Sequence, residues 1–444
     1  MNARELALAV VRDVFPPRGS QIRERGAQEA LDYRSRQAQA DPRDRAFATE
    51  LAYGAIKMRR ALDWYLAPLL GKRAEELPPA IREILRLATF ELTYTRADAH
   101  ATVFEFVNLA KRFGHRGLGN LVNAVLRSLL RTPVAPPQPE EFASVEEYLA
   151  TVHSLPTWLV RQWRSVFGDL TERVCAAVNE PARVALTVNT MKTSRDDVAR
   201  ALLADGITVQ DSPLAAESLV VERAVGLPAS QAEAHGSWWL QSESSAAVVG
   251  TLDPHRGERL LDVCSGRGSK ALQMGARLHG SGELTCVDRD RRKAALLTQR
   301  AAEAGIAAAV VVADATVWEP PATAFDRVLL DAPCSGVGVV GRHPEARWKK
   351  QSTDGERLAA TQRALIDASA GWVRGGGTLV YAVCSTDPRE TTEVTQWFLA
   401  QHDFARNAPP APLESFATPD GDVMIPPGIS GRDGFYVARF VRGT

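Results

Sequence analysis

Leu260-Leu261-Asp262-Val263-Cys264-Ser265-Gly266-Arg267-Gly268-Ser269-Lys270-Ala271 reads as a buried strand, a glycine turn and the start of a helix. The apolar run has the composition of a strand covered on both faces, and two glycines supply the backbone freedom of a tight turn. The helix that follows points its unpaired N–H groups at whatever lies over the turn, which favours polar or anionic groups there. Gly266, Gly268 and Ala271 also fit the pattern G-x-G-x-x-A, which is too short to name a ligand by itself.

Outward from this turn the chain alternates strand and helix. Arg259 to Val263, Ala271 to Leu278, Leu284 to Asp288, Arg291 to Ala304 and Ala309 to Val312 are followed by strand-like runs Phe325 to Leu330 and Thr378 to Tyr381. This rhythm predicts a doubly wound parallel sheet, whose ligands bind outside the carboxyl ends of its strands. Asp262, Asp288, Asp314 and Asp331 fall at successive strand ends. Asp288 is placed to accept ribose hydroxyls and Asp314 to read an adenine amino group, requirements that NAD and S-adenosylmethionine share. Any one of these acids is as readily a helix cap or turn former, but an edge lined by four favours a cationic sulfonium over an anionic pyrophosphate.

Two cysteines stand in matching settings, Asp331-Ala332-Pro333-Cys334-Ser335-Gly336 and Tyr381-Ala382-Val383-Cys384-Ser385-Thr386, each just past an apolar run. A lone cysteine is most often a small buried hydrophobe. Two at neighbouring strand ends point instead to a thiol nucleophile with a helper. Methylation at carbon 5 of a pyrimidine is a reaction that uses such a thiol, because carbon 5 is a poor nucleophile until a thiolate adds at carbon 6, and another group must assist its release. Loss of the carbon 5 proton and expulsion of the thiolate then restore the ring. Asp331, three residues before Cys334, is placed to hold a proton at ring nitrogen 3.

The 444 residues imply two or three domains. A Pro-rich stretch, Arg131-Thr132-Pro133-Val134-Ala135-Pro136-Pro137-Gln138-Pro139, sets the first boundary near 135, after a region whose apolar residues recur at helical spacing. Expected domains are all-α over 1–135, a small α+β module over 136–235, and the α/β sheet over 236–444. No apolar run approaches a membrane span and Met1-Asn2-Ala3-Arg4-Glu5-Leu6 lacks a secretory pattern, so a cytoplasmic protein without a membrane partner is expected. Five cysteines, widely spaced and without C-x-x-C, support neither a disulfide framework nor a metal site. The formal net charge of zero conceals a basic front: residues 1–135 carry 22 Lys plus Arg against 15 Asp plus Glu. Arg4, Arg12, Arg18, Arg23, Arg25, Arg34, Arg36, Arg43 and Arg45 make up much of the excess, as either a phosphate-binding surface or a solvated helical one.

The cysteine segments, with Arg342-His343-Pro344-Glu345, Arg347-Trp348 and the closing Arg432-Asp433-Gly434-Phe435-Tyr436-Val437-Ala438-Arg439-Phe440, resemble the RNA 5-methylcytosine methyltransferases of the RsmB/Nop2/Sun family. Asp44-Arg45-Ala46-Phe47-Ala48-Thr49-Glu50-Leu51-Ala52-Tyr53-Gly54 and Asn120-Leu121-Val122-Asn123-Ala124-Val125-Leu126-Arg127 resemble a NusB-like helical RNA-binding domain. The resemblance implies a multidomain chain: an all-α NusB-like domain, a small α+β (RRM-like) module and a Rossmann-like methyltransferase domain. It implies S-adenosyl-L-methionine as cofactor, small-subunit (16S) ribosomal RNA as partner, and a monomer. Cys384 matches the nucleophile and Cys334 the cysteine that assists product release. Cys264, Ser265, Gly266, Arg267, Gly268, Ser269 and Lys270 match the cofactor loop, Asp288 the ribose acid, Asp314 the adenine-side acid, and Asp331 the acid near methyl donor and base. The family loop reads Cys-Ala-Ala-Pro-Gly-Gly-Lys-Thr, so Arg267 replaces a proline; Val383 likewise replaces the threonine before the nucleophile. Two other readings are a NusB-like RNA-binding factor that lost catalysis through the altered loop, and an NAD-linked oxidoreductase. The second gives the two cysteines no role.

Overall fold

The computed structural model describes residues 1–222, 235–320, 324–410 and 412–444, so the end of the expected middle module, 223–234, lies outside the described residues. The chain forms two compact units, one of Met1–Asn179 with Arg342–Lys350, the other of Glu180–Gly341 with Gln351–Thr444. Among the described residues no helix is long and apolar enough to cross a membrane.

Unit 1 is helical, and its starts are set by side-chain caps. Asn2 forms a reciprocal capping box with Glu5 ahead of Ala3–Val14, and Asp41 accepts from the N–H groups of Arg43 and Asp44 ahead of Pro42–Lys57. Leu6, Val10, Leu51, Ile81, Leu85, Val122 and Leu126, at helical spacing on their segments, share one core. The unit does not end at the Pro-rich stretch. Helices Val145–Val152, Thr157–Phe167 and Thr171–Ala177 belong to it as well. Arg60 binds them, donating to Thr151 Oγ1 (3.0 Å), Leu155 O (3.1 Å) and Thr157 Oγ1 (2.8 Å), while Trp64 packs on Phe142 at 5.2 Å. The expected module 136–235 is thus divided at Asn179, because short helices with one apolar face need an existing core to cover it.

The motif around Arg347 is part of the same unit. Arg347 is buried and donates to Asn179 Oδ1 (2.7 Å), Val178 O (2.8 Å) and Ser154 O (3.3 Å); Trp348 Nε1 donates to Ile56 O at 2.6 Å. Several front arginines also serve the fold. Arg25 and Arg34 neutralise the fully buried Asp13, Arg4 forks onto the buried Glu91, Arg45 pairs with Asp32, and Arg12 lies 5.1 Å over the Phe113 ring. A buried carboxylate is tolerated only when paired, so part of the basic excess is internal rather than a surface.

Among the described residues, unit 2 holds two sheets. Strands β1 (Val184–Val188), β2 (Val209–Asp211), β3 (Ser218–Val221) and β4 (Trp238–Leu240) form an antiparallel sheet in the order β2-β3-β1-β4, and the helix Arg195–Ala204 shares its core through Val198 and Leu202. The large sheet uses β5 (Arg259–Val263), β6 (Glu283–Asp288), β7 (Ala309–Val312), β8 (Phe325–Asp331), β9 (Val373–Val383), β10 (Phe404–Arg406), β11 (Val423–Ile425) and β12 (Phe435–Arg442). Its order is β10-β12-β9-β8-β5-β6-β7, with β11 on β12.

Both faces are covered. Leu260, Leu329 and Val380 point to one core while Leu261, Val328 and Leu379 point to the other, as the two-residue period of a strand requires. The sheet is not parallel throughout. β7-β6-β5-β8-β9 run parallel, but β12 is antiparallel to β9, β10 and β11. Only nine residues join β11 to β12, too few for the crossover a parallel neighbour needs. Strand order reverses between β5 and β8, which places the binding crevice at their carboxyl ends.

Candidate active site

At the end of β5 the backbone turns sharply: Cys264 has φ +64°, Gly266 +57° and Gly268 +88°. Ser265 Oγ donates to Asp262 O at 2.8 Å, and Gly266 N–H donates to Asp288 Oδ2 at 2.8 Å. Asp288 Oδ1 takes Asp290 N–H at 2.7 Å, so the carboxylate at the end of β6 is held against the loop. A side chain at Gly268 would overlap Leu297 Cδ1, and its φ disfavours any L residue, so glycine is required to bring the helix Ser269–Leu278 this close.

Beyond the loop lies a compact set of charges. Lys270 Nζ pairs with Asp331 Oδ2 at 2.6 Å and sits 5.3 Å from the Phe435 ring centroid. Burial works against the Lys270 ammonium, but the charge and hydrogen bond of Asp331 outweigh it and leave its pKa raised. Asp262 is 1% exposed, and neither carboxylate oxygen has a hydrogen-bond partner among the described residues. Burial, reinforced by Asp331 and opposed by Lys270, pushes its pKa up to about 8. A buried, unpartnered acid is costly unless a ligand completes it. This edge therefore suits a cation with polar flanks, which is the donor set S-adenosylmethionine requires.

Other expected contacts are more loosely placed. Asp314 is exposed, and its Oδ1 accepts from Thr316 N–H (3.0 Å) and Thr316 Oγ1 (2.7 Å), bonds that hold its pKa below the usual range. The Arg267 side chain is exposed and lines a cavity of about 440 Å³ with Trp238, Gln299 and Arg300, a lining that includes none of Asp262, Asp288 or Asp331. Its backbone carbonyl accepts from Arg300 at 2.8 Å.

The two cysteines meet. Cys334 Sγ and Cys384 Sγ are 3.2 Å apart, past the ends of the adjacent strands β8 and β9. Gly338 N–H donates to Cys384 O at 3.0 Å and Gly434 N–H to Gly338 O at 2.8 Å; a Cβ at Gly338 would overlap the Gly434 carbonyl, so only glycine lets these loops close. Burial pushes Cys175 and Cys264 up to about 12 and Cys286 well above its usual value, which leaves them protonated and inert. Reading the sequence missed the layer beneath the pair: Ser335, Ser385, Gln362 and Glu390, all buried and mutually hydrogen-bonded. The serine following each cysteine was the available signal.

A switch point that joins a glycine loop, an acid at the end of β6 and an orphaned carboxylate fits the class of S-adenosylmethionine-dependent methyltransferases. Comparison with known proteins narrows this. The model described as 16S rRNA methyltransferase RsmB/F matches residues 249–441, the NusB family model residues 1–131, and the RsmF/B-like ferredoxin-like domain model residues 155–227. Ribosomal RNA small subunit methyltransferase B of Thermus thermophilus is 36% identical over 440 residues, covering 99% of this chain and 97% of the relative. The probable ribosomal RNA small subunit methyltransferase B of Bacillus subtilis is 32% identical over 411 residues, covering 89% and 90%. Among solved structures, that of PH0851 superposes with a TM-score of 0.82 at 23% identity over 99% of each chain, which shows a shared fold. The chain belongs to the ribosomal RNA small subunit methyltransferase B family.

Proposed function

We propose that the protein methylates carbon 5 of a cytidine in small-subunit ribosomal RNA through a transient bond between Cys384 and carbon 6. The observation that carries this reading is the 3.2 Å approach of two thiols at the strand ends beside Asp331. Methylation at an exocyclic nitrogen or a ribose hydroxyl, whose acceptor atoms have lone pairs of their own, gives no work to such a pair. The names of the relatives supply the RNA, and the front domain's match to the NusB family supports RNA contact by residues 1–135.

The sulfur of Cys384, as thiolate, forms the S–C6 bond, and the displaced ring electrons raise density at carbon 5. A proton at ring nitrogen 3 balances that charge, and Asp331, paired with Lys270, would hold it there by accepting its hydrogen bond. S-adenosylmethionine, when bound, supplies the electrophilic methyl group that carbon 5 takes; the glycine loop, Asp262 and Asp288 would hold it. A base then removes the carbon 5 proton, the S–C6 bond breaks and its electrons return to sulfur as the ring regains aromaticity. Cys334, directly against Cys384, assists this release. The target base must leave its stack to reach two thiols in a crevice.

Cys384→Ala is expected to abolish methyl transfer. Cys334→Ala is expected to accumulate a protein–RNA adduct that survives denaturation and is visible as a shifted band on a denaturing gel. Transfer by Cys384→Ala at the wild-type rate would overturn the proposal.

A further inference from the structure

Glu390 is fully buried beneath the cysteine pair, in the short turn Pro388–Glu390 that follows β9. Its Oε1 accepts from Ser335 N–H at 2.8 Å and from Gln362 Nε2 at 3.0 Å. Its Oε2 accepts from the hydroxyl of Ser335 and from that of Ser385 at 2.5 Å, and those hydroxyls lie 3.1 Å apart. Ser335 directly follows Cys334, and Ser385 directly follows Cys384. Gln362 also donates to Pro333 O at 3.0 Å, so the residues on both sides of Cys334 are tied to one carboxylate. Tyr381, three residues before Cys384, donates its hydroxyl to the Glu390 carbonyl at 2.6 Å.

We propose that Glu390 is a positioning residue of the reaction: a single buried carboxylate that fixes the loops after β8 and β9 so that the sulfurs of Cys334 and Cys384 face each other. This rests on the roles given above to the two cysteines. Glu390 collects donors from the residue after each cysteine, while the nearby carboxylate of Asp387 is engaged by Arg389. Its charge has a second effect. The Cys334 thiol is driven well above its usual pKa by its hydrogen bond to Cys384 first, then by burial, then by the charges of Cys384, Glu390 and Asp331. Cys334 is thereby kept as the protonated partner while its neighbour attacks. The groups facing Cys334 are therefore Cys384, Glu390 and Asp331, with Tyr381 also coupled to it.

The test is steady-state methyl transfer by the full chain carrying Glu390→Gln, together with the pH dependence of Cys334 alkylation by iodoacetamide, read by peptide mass. Glutamine keeps the size of the side chain but removes the charge and two acceptor positions. The expected result is a kcat at least tenfold lower, KM for RNA and for S-adenosylmethionine within twofold of wild type, and Cys334 alkylation that begins at lower pH. A wild-type kcat, or an alkylation profile that does not move, overturns the inference. If Glu390→Gln does not fold, the double variant Ser335→Ala, Ser385→Ala decides. It removes the two hydroxyl bridges but leaves the carboxylate, and it should lower kcat at least threefold at unchanged KM; a wild-type kcat overturns the inference here too. Full activity in Cys384→Ala would remove the cysteine mechanism itself. Dependence on Cys384 with indifference to Glu390 would remove only the positioning role.

Discussion

Asp262→Asn should make the cofactor-free protein more stable at neutral pH while weakening cofactor binding. In the folded chain the Asp262 carboxyl titrates near 8, against about 3.9 in an unfolded chain. Its folded pKa is raised, so the fold is unpenalised below about pH 4, loses stability as pH climbs, and reaches its full loss near pH 8. At about 1.4 kcal/mol per pH unit, the loss at pH 7 is on the order of 4 kcal/mol. Asparagine removes the titration but leaves an unsatisfied amide, which costs about 1–3 kcal/mol, so the net gain at pH 7 is roughly 2 kcal/mol. Urea unfolding at pH 5, 6, 7 and 8 reads this directly. The variant should match or fall below wild type at pH 5 and exceed it progressively toward pH 8. Calorimetry with S-adenosylmethionine at pH 7, in buffers of different ionisation enthalpy, should show close to one proton released by wild type and none by the variant, with weaker binding by the variant. A variant destabilised equally at every pH, or identical proton release, would refute the reasoning.

Lys270→Met removes the counter-charge shared by Asp331 and Asp262 and should cost roughly 3 kcal/mol in urea unfolding at pH 7, with less effect near pH 4; an unchanged midpoint would contradict the pairing. Gly268→Ala forces a methyl group into Leu297 at φ +88° and should destabilise by about 1–3 kcal/mol and reduce S-adenosylmethionine affinity at least tenfold by calorimetry. Wild-type affinity would show that the loop can relax. Arg18, Arg36 and Arg43 have no ion-pair partner among the described residues. Replacing all three with alanine should reduce the slope of log K for RNA against log salt by about 2 while leaving the melting temperature in place. Arg34→Ala should instead lower the melting temperature, because it leaves Asp13 buried with one partner fewer.

Local signals carried much of this fold. The strand, glycine turn and helix at Leu260–Ala271 could be read because each piece is dictated by its own residues, and the acids at strand ends followed from the strand periods. What escaped depends on distant partners. Nothing near Phe435–Arg442 says that this strand returns antiparallel against β9; its short connection to β11 fixes only the antiparallel pairing of those two. The arginines of residues 1–135 look alike in sequence, yet Arg25 and Arg34 neutralise Asp13 while Arg18 does not, a distinction set by helix packing. Asp262 was one of four acids at successive strand ends, and burial without a hydrogen-bond partner sets it apart. The cysteines were visible as a pair through their matching flanks, but the carboxylate that joins them comes from Glu390, on a turn with no pattern of its own.

The most direct test of the central claim is nucleoside mass spectrometry of small-subunit ribosomal RNA incubated with S-adenosylmethionine and the purified protein. The account predicts 5-methylcytidine with wild type and none with Cys384→Ala. Methyl found on any other atom, or 5-methylcytidine formed equally by Cys384→Ala, would contradict it.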